Sequence, residues 1–134
     1  MPPHTADALN RVTGVIVAAA IKVHRALGPG LLESAYLACL DFEIRDASLR
    51  TQVQKAIPLV YRGVAMDCAY RADLIVESCV LVEIKAVEKL ADIHAQQLYT
   101  YLRIADYRVG LLLNFGEATM KSGIKRVLND FRDG

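Results

Sequence analysis

Ala72-Asp73-Leu74-Ile75-Val76-Glu77-Ser78-Cys79-Val80-Leu81-Val82-Glu83-Ile84-Lys85 is the stretch on which the fold of this chain turns. Its two segments rich in Val, Ile and Leu flank Glu77-Ser78-Cys79, a pattern that predicts a β-hairpin with a three-residue loop. If Val76 pairs with Val80, counting outward sets Asp73 opposite Glu83. Side chains alternate along a strand, so Glu83, Lys85 and Asp73 point to one face, in the spacing D-x9-E-x-K. Two opposed carboxylates repel unless a cation sits between them. A divalent metal with oxygen ligands, together with the Lys85 ammonium, would relieve that repulsion. A solvated charge cluster on a wet hairpin face is the competing account. Against it, both strands are nearly continuously apolar, as in strands covered on both faces, where charge is costly unless paired or metal-bound.

The whole chain sets the frame. Its 134 residues fit a single domain, 1–134, with 1–6 expected as a loose terminus. A composition of 54% hydrophobic and 23% charged residues is that of a globular chain, not a disordered one. The net charge of +1 carries no global polyanion signal, so affinity for nucleic acid would come from a local patch or a metal. Cys39, Cys68 and Cys79 have no metal-ligand spacing, and the odd count fits reduced thiols better than a disulfide framework. The longest apolar run, 15–21, is too short for a bilayer and ends at Lys22. No basic region or clear cleavage site marks a secretory signal. The expectation is a cytoplasmic protein with no membrane partner.

Apolar residues recur at helical spacing over 7–26, with Asp7 placed to cap the start. Gly28-Pro29-Gly30 breaks that helix, and a second is expected over 31–46 with Leu32, Tyr36, Cys39, Leu40 and Ile44 as its apolar stripe. Strands follow at 50–54 and 57–61, where Pro58 argues for an edge, then at 64–70 before the hairpin of 73–85. The period predicts a helix over 92–105, a buried strand over 109–114 and a last helix over 124–131. This order implies an α/β fold with a central mixed sheet flanked by helices.

Two further groups of residues stand out. With Gly30 as N-cap, Glu33 falls at the third helical position, where a carboxylate meets free amides and the helix dipole; alternatively it leans over the sheet as a third metal carboxylate. Tyr36, one turn on, reads as a packing residue with a hydroxyl contact. Gln97 and Tyr101 share a helical face with His94, a set that could meet a phosphate or form an ordinary polar face. Lys22, Arg25, Arg71, Lys121, Lys125 and Arg126 could hold a phosphate backbone only if the fold clusters them.

The ordered set resembles the PD-(D/E)xK nuclease superfamily, and within it the small bacterial GxxExxY family, with a RecB-like nuclease fold. Gly30, Glu33 and Tyr36 match the motif that names that family. Tyr70-Arg71-Ala72-Asp73-Leu74 and Val82-Glu83-Ile84-Lys85 match its Y-R-A-D-L and E-(I/L)-K segments. Gln97 and Tyr101 match the Q-x3-Y element of the related RecB-type nucleases, and Gly110-Leu111-Leu112-Leu113-Asn114-Phe115 looks like a G-L-L-x-N-F strand. The likeness spans about 8–130 with its elements in order. It implies a restriction-endonuclease-like αβββαβ core and metal-dependent cleavage of phosphodiester bonds in nucleic acid, DNA foremost. Asp73, Glu83 and the backbone carbonyl of Ile84 would bind Mg²⁺ or Mn²⁺, with Glu33 joining directly or through water. Lys85 would orient or deprotonate the attacking water, or offset transition-state charge. Gln97 and Tyr101 would position the scissile strand.

Two alternatives compete with a nuclease. One is a non-catalytic nucleic-acid-binding or assembly subunit that keeps the fold, with a homodimer or an accessory protein supplying substrate choice. The other is a hydrolase of nucleotides or small phosphoesters, but Gly28-Pro29-Gly30 lacks the G-x4-G-K-[ST] phosphate loop.

Overall fold

The computed structural model describes residues 5–130, without the side chains of Cys68 and Ala69. Residues 1–4 of the expected loose terminus lie outside the described residues. In chain order the elements are α1 (Ala6–Leu27), α2 (Glu33–Asp46), β1 (Thr51–Tyr61), β2 (Val64–Val76), β3 (Val80–Lys85), α3 (Asp92–Ala105), β4 (Val109–Asn114) and β5 (Ile124–Leu128). A short 3-10 turn, Lys121–Gly123, leads into β5.

The strands form one sheet in the order β1-β2-β3-β4-β5. All neighbours are antiparallel except β3 and β4, which run parallel because α3 carries the chain back across the sheet. The expected mixed α/β sheet is therefore present, with α2-β1-β2-β3-α3-β4 as its αβββαβ core.

Helices α1 and α2 cover one face. Ile16, Ala20, Tyr36, Leu40 and Ile44 pack there on Leu74, Val76, Val82, Ile84 and Leu113. Helix α3 covers the other face through Leu98 and Leu102, which meet Ile75, Leu81, Leu112 and Val127. Each such buried Leu or Ile contributes roughly 1.5–3 kcal/mol of transfer free energy. Covering on both faces explains why β4 is buried throughout and reads as an unbroken apolar run.

Local differences from the sequence reading have identifiable causes. Thr5, not Asp7, caps α1, its hydroxyl accepting from the Ala8 N–H at 3.1 Å. Helix α2 starts later than expected, with Leu32 at the N-cap and Glu33 as its first residue. The preceding turn places Gly28 at φ 68° and Gly30 at φ 111°, conformations that favour glycine. Tyr36 pins this turn: its hydroxyl donates to the Gly28 carbonyl at 2.5 Å and accepts from the Leu31 N–H at 3.1 Å. Leu32 consequently leaves the apolar stripe and is 79% exposed. The two strands expected at 50–54 and 57–61 are one edge strand, β1, and Pro58 does lie on an edge, beside a register shift between Ile57 and Leu59. The strand expected at 64–70 continues into the first arm of the hairpin as a single β2.

The last expectation is overturned. Residues 124–128 form strand β5, not the start of a helix over 124–131, and Phe131 lies outside the described residues. The spacing of Ile124 and Val127 suits either state over so short a stretch. The outer edge of β4 decides it, because its backbone groups need partners and β5 supplies them in antiparallel register.

Candidate metal centre

The hairpin register is the one that alternation predicted: Leu74, Ile75 and Val76 pair with Val82, Leu81 and Val80. Alternate pairs of an antiparallel ladder exchange two backbone bonds, so the next such pair would join Ile84 to Ala72. The ladder stops short of it. The Ile84 N–H instead donates to Asp73 Oδ2 at 2.8 Å, and the Asp73 N–H donates to Glu83 Oε1 at 3.2 Å. Two carboxylates thus occupy the place of main-chain bonds where β2 and β3 part.

Neighbouring backbone shows why the strands part there. Gln54, across β1 from Asp73, sits at φ 53°, its carbonyl accepts from Arg71 Nη1 at 3.4 Å, and its side-chain amide donates to Asp73 Oδ1 at 3.3 Å. Tyr70 and Ala72 pack in the same α3-side cluster as Ile75, so the two-residue alternation slips once around Asp73. In an extended strand the N–H and C=O of one residue point the same way. The Ile84 carbonyl is therefore turned toward β2 and Asp73, whereas the Lys85 carbonyl faces β4 and accepts from the Phe115 N–H at 2.8 Å.

Glu83 Oε1 takes a second hydrogen bond, from the Tyr70 hydroxyl, and the Tyr70 ring stacks on Tyr101 of α3 with centroids 3.5 Å apart and planes 7° from parallel. Burial pushes the Glu83 carboxyl up to about 7, and the Asp73 charge adds to the rise, while Tyr70, the Asp73 N–H and Lys85 pull against it. Burial raises Asp73 too, opposed by the Ile84 N–H and by Lys85. Tyr70 is raised by burial and then by Glu83. Lys85 thus acts on both carboxylates, but it does not cancel their desolvation.

This donor set suits a divalent ion. Glu83 Oε2 has no hydrogen bond among the described residues, and Asp73 Oδ1 has only the long bond from Gln54. Two hard carboxylate oxygens beside a peptide carbonyl are the ligands that Mg²⁺ and Mn²⁺ take, and an ion there would lower the desolvation cost of both side chains.

Other residues named from sequence lie at varying removes. Glu33 is exposed in the first turn of α2, and no group of three or more His, Cys, Asp or Glu able to hold a metal exists among the described residues. The three-carboxylate arrangement is therefore not assembled. Gln97 is exposed on α3, whereas Tyr101 is half-buried against Tyr70. His94 caps α3, its Nδ1 accepting from the Ala91 N–H at 3.0 Å. Of the scattered cations, Lys22 pairs with Glu43 at 3.1 Å and Arg126 donates to Asn10 at 2.7 Å. Arg25 and Lys121 line a cleft of about 460 Å³ between the end of α1 and the turn before β5.

Sequence reasoning gave no role to Tyr70 or Asn114. Tyr70 stood in the Tyr70-Arg71-Ala72-Asp73 run, but its reach to Glu83 depends on the slipped alternation. Asn114 ends an apolar strand, fully buried, and its side chain accepts from the Val87 and Gly116 N–H groups at 3.0 and 3.1 Å and donates to the Val87 carbonyl at 2.9 Å. It fastens the segment that leaves Lys85. A polar residue closing an otherwise apolar run was the available signal.

The model of the PD-(D/E)XK nuclease superfamily matches residues 10–127. The chain belongs to that superfamily. Comparisons with curated proteins and with solved structures returned no match. As a PD-(D/E)XK protein it comes from a group of nucleases that typically use divalent metals such as Mg²⁺, and its mixed sheet with flanking helices agrees with their fold. Among the described residues no helix is long and apolar enough to cross a membrane.

Proposed function

We propose that this PD-(D/E)XK protein is a catalytically active nuclease of the GxxExxY type, hydrolysing phosphodiester bonds of nucleic acid with Mg²⁺ or Mn²⁺. The observation that carries this reading is the interlocked pair Asp73 and Glu83, half-buried, mutually repelling and flanked by Lys85 where the β2–β3 ladder ends. A chain that only needed the fold could fill those positions with apolar residues at lower desolvation cost.

Asp73 through Oδ1, Glu83 through Oε2 and the Ile84 carbonyl would hold the ion, with Glu33 joining through water. The bound ion supplies a water of lowered pKa and offsets charge on the phosphate. Lys85 orients that water or compensates the charge that builds on the phosphate oxygens. Gln97, exposed on α3, contacts the strand to be cut, with Tyr101 one turn further on. DNA is the proposed substrate, by likeness to the RecB-type nucleases. The free thiols Cys39 and Cys79 suit a cytoplasmic setting, and a homodimer or an accessory protein would widen the surface offered to a duplex.

Cleavage of supercoiled plasmid, linear duplex, single-stranded DNA and RNA with Mg²⁺, Mn²⁺ or EDTA tests the reading. Metal-dependent cutting by wild type, lost in Asp73→Ala and Lys85→Ala, is the expected result. Equal cutting by a pure Glu83→Ala protein would refute the assignment. The separation of Glu33 from the carboxylate pair is the observation favouring the second reading, a non-catalytic subunit. No Mg²⁺ or Mn²⁺ binding dependent on Asp73 and Glu83 would put that reading first.

A further inference from the structure

Glu83 is tethered on one side only. Its Oε1 accepts from the Tyr70 hydroxyl and from the Asp73 N–H at 3.2 Å, whereas Oε2 has no hydrogen bond among the described residues. Tyr70 is itself held by Tyr101, whose ring lies 3.5 Å away between centroids and 7° from parallel. Helix α3 places Tyr101 by burying the flanking Leu98 and Leu102 against the sheet. No hydrogen bond engages the Tyr101 hydroxyl among the described residues, so its contribution passes through the ring face.

We propose that Tyr70 is a positioning residue for Glu83, tying down Oε1 so that Oε2 alone meets a divalent ion, and that Tyr101 acts through Tyr70 by stacking. The inference rests on the metal-dependent reading above and extends it to two residues that do not touch the ion. A glutamate loses up to about 1.5–2 kcal/mol of rotamer entropy when fixed, and Tyr70 removes that cost before any ion arrives. Fixing one oxygen also prevents Glu83 from chelating with both. Single-oxygen ligation suits a small octahedral ion that keeps several waters, one of which can serve as the nucleophile. The stacked rings leave the Tyr70 hydroxyl little lateral freedom, because turning it would break a contact between two aromatic faces. On this account the tyrosine of the Q-x3-Y pair works behind the carboxylate, while Gln97, exposed on the same helix, is left to meet nucleic acid.

Calorimetric titration of Mn²⁺ and Mg²⁺ provides the test, using wild type, Tyr70→Phe, Tyr101→Phe, Tyr101→Ala, the Tyr70→Phe/Tyr101→Ala double variant and Asp73→Ala. Tyr70→Phe keeps the ring and its stack but lacks the hydroxyl, and should bind the ion about 10- to 100-fold more weakly. Tyr101→Phe should bind as wild type does. Tyr101→Ala should weaken binding in the wild-type background and add little in the Tyr70→Phe background, the signature of a shared route. Metal-free melting should stay cooperative in each. If Tyr70→Phe unfolds, the contrast between Tyr101→Phe and Tyr101→Ala still decides. Wild-type affinity in Tyr70→Phe overturns the proposal, as does a Tyr101→Ala loss of equal size in both backgrounds. Binding abolished in Asp73→Ala but untouched in Tyr70→Phe removes this inference and leaves the metal reading standing. No binding by wild type removes both.

Discussion

The Ile84 N–H is held by Asp73 Oδ2 at 2.8 Å, in the position where an uninterrupted hairpin would hold it with the Ala72 carbonyl. A side chain thus completes the backbone of β3, and the same residue faces the Ile84 carbonyl and the Glu83 carboxylate. Folding of the hairpin and construction of the centre are one event, so substitutions here act on stability and chemistry together.

Stability should respond to pH through Glu83. Its carboxyl rises from an ordinary value of 4.5 to about 7 in the folded chain. Between those values the folded state keeps a proton that the unfolded state has released, so stability falls as pH rises through this window and levels off above it. The full effect is on the order of 3 kcal/mol. Denaturant titrations of the metal-free protein from pH 4 to 8 should show the decline, and Glu83→Gln should flatten it. Divalent ion must displace that proton, so affinity for Mg²⁺ should increase as pH approaches 8. A metal-free protein that grew steadily more stable over the same range would contradict this assignment.

Lys85 lowers the proton affinity of both carboxylates. In Lys85→Ala, metal binding should fall more between pH 8.5 and pH 7 than it does in wild type, through proton competition. At pH 8.5 the loss of a like charge should leave it at least as tight as wild type. Cleavage should not recover with it, staying at least 100-fold down, a loss of about 2.7 kcal/mol in transition-state stabilisation. Parallel calorimetry and cleavage at the two pH values separate these effects. Joint recovery of binding and cutting would reduce Lys85 to an electrostatic bystander.

Glu33 stands apart from the pair, exposed at the first turn of α2. Glu33→Gln should weaken Mg²⁺ binding by about 10-fold, the low end for a group acting through water, whereas Asp73→Asn should lose it by far more. A Glu33→Gln loss as large as that of Asp73→Asn would mean that Glu33 is a direct ligand in the loaded protein.

The segment after Lys85 depends on Asn114 and on two glycines. Asn114→Ala strands the Val87 N–H and C=O and the Gly116 N–H, at a cost of roughly 2–4 kcal/mol. Gly116→Ala should be at least as harmful, since its Cβ would fall 2.1 Å from the Val87 carbonyl oxygen, and Gly123 meets the Asn114 carbonyl at 2.2 Å in the same way. Thermal unfolding measures both. An Asn114→Ala protein melting within a degree or two of wild type would show that the buried amide is not a fastener.

What the sequence determined by itself was the part governed by local periodicity. Alternation around Glu77-Ser78-Cys79 specified the hairpin register, because a one-residue slip would have turned Leu74, Val76 and Val82 to the wrong face. The helical period over 92–105 and the apolar run over 109–114 marked α3 and β4 to the residue, and Pro58 marked an edge. These signals alone bring Asp73, Glu83 and Lys85 to one face of the hairpin. Tertiary structure decided the rest. Residues 124–128 became a strand because β4 had unpaired backbone to satisfy, a need invisible in so short a stretch. Glu33 moved to the first position of α2 because Tyr36 reaches back to hold the Gly28 turn. Tyr70 reached Glu83 only because Gln54 and Asp73 buckle the sheet, which breaks the alternation on which any reading of a strand depends.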